Sequence, residues 1–120
     1  MSKKFSFHTH PNFQIVTVAV TDNFSLSGPD VRFSDNPDHD RRRDATELQT
    51  LIGEHLVGSK VIEKVTFGNQ GMSVKKHSTQ NWSAVKPFII EAITNAYRKT
   101  EHVSVEFQKF PYGLVPSQTI

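Results

Sequence analysis

Apolar residues change their spacing midway along the chain. Val61, Val65 and Phe67, then Met72 and Val74, alternate with polar neighbours on either side of Gly68-Asn69-Gln70-Gly71. Val85, Phe88, Ile89, Ala92, Ile93, Ala96 and Tyr97 instead recur at helical spacing. Alternation puts side chains on one face of a strand, and the longer repeat puts them on one face of a helix. This stretch therefore reads as a hairpin followed by a helix, with Gly68 and Gly71 supplying positive φ at the ends of the turn. Pro87 would cost a helix interior roughly 3 kcal/mol. With Ser83 as the cap it falls in the first turn, where N–H groups lack intrahelical partners.

Upstream, Phe13 to Val20 is β-branched and apolar on both faces, which predicts a covered central strand. Leu26 to Phe33 predicts a second strand, interrupted by Gly28-Pro29. A polar loop over 34–44 leads into a helix whose stripe is Leu48, Leu51, Ile52 and Leu56. Asp44 is placed to cap it, Glu47 completes a capping box, and Gly58 is placed to end it with positive φ. Val103, Val105 and Phe107 alternate in a last strand. The order β-β-α-β-β-α-β predicts an α+β domain with two helices on one face of a mainly antiparallel sheet. Its boundaries are expected at 10–109, with residues 1–9 an N-terminal arm and 110–120 a C-terminal tail. The predicted core is Leu48, Leu51, Leu56, Val65, Val74, Trp82, Phe88, Ile89 and Ile93.

Composition narrows the chemistry. A chain of 120 residues, 36% hydrophobic and 22% charged, suits one globular domain. A net charge of +2 is too small to imply nucleic acid by itself. The absence of cysteine excludes disulfides, thiol nucleophiles and thiolate-held clusters within the chain. Met1 to His8 begins basic but lacks the apolar run of a signal peptide, and no apolar run is long enough to cross a bilayer. A soluble, cytoplasmic protein without membrane contact is expected.

The sequence resembles the N-terminal domain of Nfu-type (NifU-like) iron-sulfur scaffold proteins. The likeness runs from His10-Pro11-Asn12, through Val61 to Phe67 and Met72 to Lys75, to Asn81-Trp82, Val85, Pro87 and Ile89 to Ile93. It covers roughly residues 10–97 and departs from the family in the long 34–44 loop, at Gly68 to Gly71, and in Val103 to Ile120. In full-length relatives a Cys-x-x-Cys motif in a separate C-terminal domain holds the cluster, and no such ligand transfers to a chain without cysteine. The resemblance implies a non-catalytic accessory role: docking to assembly proteins or helping a cluster carrier recognise its clients. No cofactor is expected, and the partners expected are proteins.

Candidate sites remain to be weighed against plainer roles. His8, His10 and His39, the last within Asp38-His39-Asp40, carry donors suited to zinc, nickel or iron; a frayed terminus and a solvated loop are the plainer reading. Arg41, Arg42 and Arg43 could clamp an anion through forked guanidinium donors, but Asp40 and Asp44 compete for them. Lys75 and Lys76, followed by His77 and Trp82, could form a basic and aromatic nucleic-acid surface. Asn69 and Gln70 sit at a hairpin tip, where recognition is common. No nucleophile elbow, carboxylate pair or phosphate loop is present, and His55 reads as boundary packing. The contact residues expected are Arg41, Arg42, Arg43, Asn69, Gln70, Lys75 and Lys76. A small nucleic-acid-binding module and a metal-dependent small enzyme are the competing readings.

Overall fold

The computed structural model describes residues 2–20, 31–68 and 71–107. Six strands and two α-helices follow one another as β1 (Ser2–Thr9), β2 (Ile15–Val20), β3 (Val31–Ser34), α1 (Glu47–Gly58), β4 (Ile62–Gly68), β5 (Gly71–Lys76), α2 (Trp82–Thr100) and β6 (Ser104–Phe107). A short 3-10 turn, Pro37–His39, lies between β3 and α1. The strands form one sheet in the order β3-β4-β5-β2-β1-β6. Every pairing is antiparallel except β1 with β6, which is parallel. The architecture is the expected α+β fold, with one strand more than the pattern predicted.

The extra strand is the segment expected to be an arm. Lys4, Ser6 and His8 alternate with Phe5 and Phe7, and this alternation inserts β1 between β2 and β6. Phe5 is 0% exposed, meets the Tyr97 ring edge-on at 5.2 Å and stacks on Phe107 at 5.4 Å. Burial of these rings holds the segment in the sheet. The expected 110–120 tail, the Gly28-Pro29 break, and Asn69 and Gln70 lie outside the described residues.

One face of the sheet builds the core. Phe5, Phe7, Val16, Val18, Val31, Phe33, Val65, Phe67, Met72 and Val74 are buried beneath Leu48, Ile52 and Leu56 of α1 and Val85, Ile89, Ile93 and Tyr97 of α2. Leu51 and Phe88, expected inside, are half-buried at its margin. Helix α1 packs against Phe33 of β3 at Gly53. A Cβ there would overlap Cγ and Cδ1 of the Phe33 ring and lie 2.8 Å from Cδ2. The missing side chain is what allows the approach.

Both helices start where side chains satisfy free N–H groups, two residues away from the expected caps. Thr46, not Asp44, caps α1: its hydroxyl accepts from Gln49 N at 3.1 Å, and Gln49 Oε1 accepts from Thr46 N at 3.0 Å. This reciprocal pair is the true capping box. At the other end Gly58 is still helical, and Lys60 takes the positive φ of 72°. Asn81, not Ser83, caps α2, accepting from Ala84 N at 3.0 Å. Pro87 thus lies in the second turn, where its ring is exposed and only Ser83 C=O loses an intrahelical donor.

Candidate interaction surface

Trp82 closes the core at the start of α2. It is 6% exposed, and its indole N–H donates to Phe13 C=O at 2.8 Å, tying the helix to the turn before β2. Lys76, 9% exposed, lays its ammonium 5.7 Å from the centre of the Trp82 ring. Burial pushes the Lys76 ammonium below its ordinary pKa. Phe13 itself is 80% exposed and precedes β2 rather than starting it. Its side chain is outside the core in which a covered strand would have placed it.

The three consecutive arginines separate. Arg42 forks onto Asp40, with Nη2 2.6 Å from Oδ1 and Nε 2.9 Å from Oδ2, and its guanidinium lies 4.7 Å from the centre of the Phe33 ring. Its Nη1 also reaches Glu54 Oε2 at 3.4 Å. The hydrogen bond from Arg42, assisted by Ser34 N–H at 3.0 Å, holds the Asp40 carboxyl below the usual carboxylate range. Arg42 is therefore a strut between the 34–44 loop, β3 and α1, not a free clamp. Arg43 is exposed. Arg41 pairs through its backbone with Arg32, N and O exchanging two bonds of 2.8 Å, and so adds one position to the β3 edge.

This bridge places Arg41 on the sheet face opposite α1 and α2, which bears no described helix. Residues paired across strands share a face, and the pairings His8–Thr17, Thr17–Ser73, Ser73–Thr66, Thr66–Arg32 and Arg32–Arg41 form one continuous row. The adjacent row is Ile15, Lys75, Lys64 and Ser34. Arg32, Arg41 and Lys64 thus converge at the β3–β4 end. An open depression of ≈ 470 Å³ over the hydroxyl row is bounded by His8, Thr17, Thr66 and Ser73. Lys75 faces this surface and pairs with Glu63 at 3.2 Å, whereas Lys76 points into the protein. The expected Lys75–Lys76 patch is accordingly divided between the two faces.

The histidines do not assemble. His8 Nε2 and Ser6 Oγ are 2.9 Å apart, and His10 Nδ1 accepts from Asn12 N at 3.0 Å. His39 follows β3, which β4, β5 and β2 separate from β1. Among the described residues no three His, Asp or Glu side chains group closely enough to hold a metal. With no cysteine in the sequence, the side chains present do not fit the thiolate ligation that an iron-sulfur cluster takes. No described helix is long and apolar enough to cross a membrane.

The pattern reading missed Arg32, Lys64 and Phe13. The first two were visible as polar positions between inward-facing residues, Arg32 between Val31 and Phe33 and Lys64 just before Val65. Phe13 carried no such signal, since it borders a run of apolar residues.

No protein-family profile and no curated protein matches the chain. Two solved structures share its fold. The solution structure of a NifU-like protein from Saccharomyces cerevisiae superposes with a TM-score of 0.57 at 16% identity, covering 84% of this chain and 81% of that one. The crystal structure of protein SAV1430 from Staphylococcus aureus gives a TM-score of 0.54 at 14% identity, covering 77% and 98%. The NifU-like fold expected from the sequence is the fold the chain adopts.

Proposed function

We propose that this chain is a non-catalytic protein-interaction domain that serves iron-sulfur cluster assembly or delivery, contacting other proteins without ligating a cluster itself. The observation that carries this reading is a NifU-like fold in a chain without cysteine. The fold supports the link to cluster metabolism. The lack of thiolates, and of any gathered His, Asp or Glu set among the described residues, supports an accessory role in which work is done through the surface. The geometry of the charged groups agrees: several come to one sheet face, half-buried or exposed, while the strongly bonded Asp40–Arg42 pair braces a loop.

Two measurements test it. Anaerobic incubation of the purified protein with ferrous iron, sulfide and thiol should leave no visible cluster absorption after desalting. Affinity capture from the native lysate should enrich proteins that assemble or contain iron-sulfur clusters. A stable cluster chromophore, or a captured set confined to ribosomal and other nucleic-acid-associated proteins, would refute the reading.

A further inference from the structure

We propose that the face of the sheet that bears no described helix docks an acidic segment of a partner protein, with Arg32, Arg41 and Lys64 as its charge-bearing contacts. This rests on the reading of the chain as a protein-interaction domain, and it specifies the chemistry of the partner.

The charge is concentrated where the fold could have scattered it. Arg32, Arg41, Lys64 and Lys75 come from β3, the 34–44 loop, β4 and β5, yet strand pairing brings all of them to one side. Among the described strand residues two acids oppose them there: Glu63, beside Lys75, and Glu106, registered opposite Lys4 at the far β1–β6 edge. Arg32, Arg41 and Lys64 have no ion pair among the described residues. An acidic partner would supply the missing counter-charge and would be steered toward this end of the sheet.

The shape suits a segment of polypeptide. Six positions, His8 to Arg41, run across the strands, which at the usual spacing is about 24 Å, the reach of roughly seven extended residues. Ser73 and Thr66 in the middle of this row carry hydroxyls that can donate to carboxylates or accept from backbone N–H groups, whereas the Thr17 hydroxyl donates to His8 C=O and offers only its lone pairs. His8 is the one ring-bearing side chain among the described residues of the two rows, and none of them is Phe, Tyr or Trp. Single-stranded nucleic acid draws affinity from successive bases stacked on aromatic rings, and the single imidazole of His8 does not provide such a series. A protein interface, by contrast, can draw on arginine contacts without any such series of rings.

The test uses the full chain and two labelled probes of equal charge: a peptide alternating glutamate and alanine, and oligothymidylate. Wild type should bind the peptide more tightly than the oligonucleotide, with affinity falling as salt is raised. Combining Arg32→Gln, Arg41→Gln and Lys64→Gln should weaken peptide binding about tenfold, and Lys86→Gln, Arg98→Gln and Lys99→Gln on α2 less than about twofold. Equal losses in the two triple variants would overturn the proposal by showing that net charge alone matters. Tighter binding of the oligonucleotide would overturn it in favour of a nucleic-acid surface.

The same variants used in lysate capture separate this inference from the function it rests on. If the sheet-face variant retrieves cluster-assembly proteins as well as wild type, the docking face is wrong and the function stands. If the peptide results hold but wild type retrieves no cluster-related protein, the face stands and the function falls.

Discussion

Replacing Gly53 with alanine sets two physical effects of opposite sign against each other. Gly53 lies inside α1, and in an exposed helix Gly→Ala stabilises by about 1 kcal/mol. Here the added methyl would meet the Phe33 ring at Cγ, Cδ1 and Cδ2. Phe33 is 0% exposed, packs edge-on to Phe67 at 6.0 Å and carries the Arg42 guanidinium 4.7 Å from its centre. The ring cannot withdraw without disturbing one of these neighbours, so the overpacking penalty belongs at the upper part of the usual range, about 3 kcal/mol. The net expectation is destabilisation by about 2 kcal/mol. With a urea slope of about 2 kcal/mol per molar for a domain of this size, the midpoint should fall by about 1 M. Urea unfolding followed by circular dichroism measures it. Placing Gly53→Ala in a Phe33→Leu background should cost at least about 1 kcal/mol less than in wild type, since the two sites are coupled through contact. An unchanged or higher midpoint for Gly53→Ala would refute the reasoning, because propensity would then have outweighed the clash.

Trp82→Ala should cost about 3–5 kcal/mol from the cavity it leaves, and Trp82→Phe about 1–2 kcal/mol from the lost bond to Phe13 C=O and part of the ring; denaturant midpoints by circular dichroism decide, and a cost below about 1 kcal/mol for alanine would contradict a core role. Lys76→Met should stabilise at pH 7, because it keeps the stem and removes a charge whose burial is unfavourable. Since the folded-state pKa of Lys76 is depressed, the unfolded chain binds more protons between that value and about 10.4, and wild-type stability rises with pH across this window. The advantage of methionine should shrink there, and a variant less stable at pH 7 would mean that the contact with Trp82 outweighs burial. Asp40→Asn should cost about 1 kcal/mol at neutral pH. The folded-state pKa of Asp40 is also depressed, so its contribution is complete above about pH 4 and lost as pH falls through the lower folded value; a deficit that stays constant on acidification would refute this.

Much of the fold was legible because burial is periodic. The hairpin around Gly68 to Gly71, the stripe of α1, and the broad face of α2 follow directly from spacing, and so does the α+β arrangement. The errors have physical causes. Phe5 and Phe7 carry the strand signal, but two apolar positions in a short segment become decisive only with β2 and β6 flanking it. The parallel β1–β6 pair joins opposite ends of the described chain, and no local pattern announces so distant a partner. The caps failed by competition: Asp44 with Glu47 and Thr46 with Gln49 both have the spacing of a capping box, and the pair that closes both hydrogen bonds wins.

The surface was harder to read because neighbours in sequence are seldom neighbours in use. In a strand, consecutive residues face opposite sides. Lys75 and Lys76, which look like one basic patch, therefore become a surface cation paired with Glu63 and a buried stem beneath Trp82. Arg41, Arg42 and Arg43 divide in the same way, into a sheet-face cation, a strut on Asp40 and Phe33, and an exposed side chain. What assembles instead is a row drawn from five strands and a loop, in which Arg32 and Arg41 meet through a backbone bridge rather than through sequence proximity. A candidate surface in such a fold is found by following residue pairs across the sheet. Charge counted along the chain would select Arg42 and Lys76, the two cations that packing has already committed.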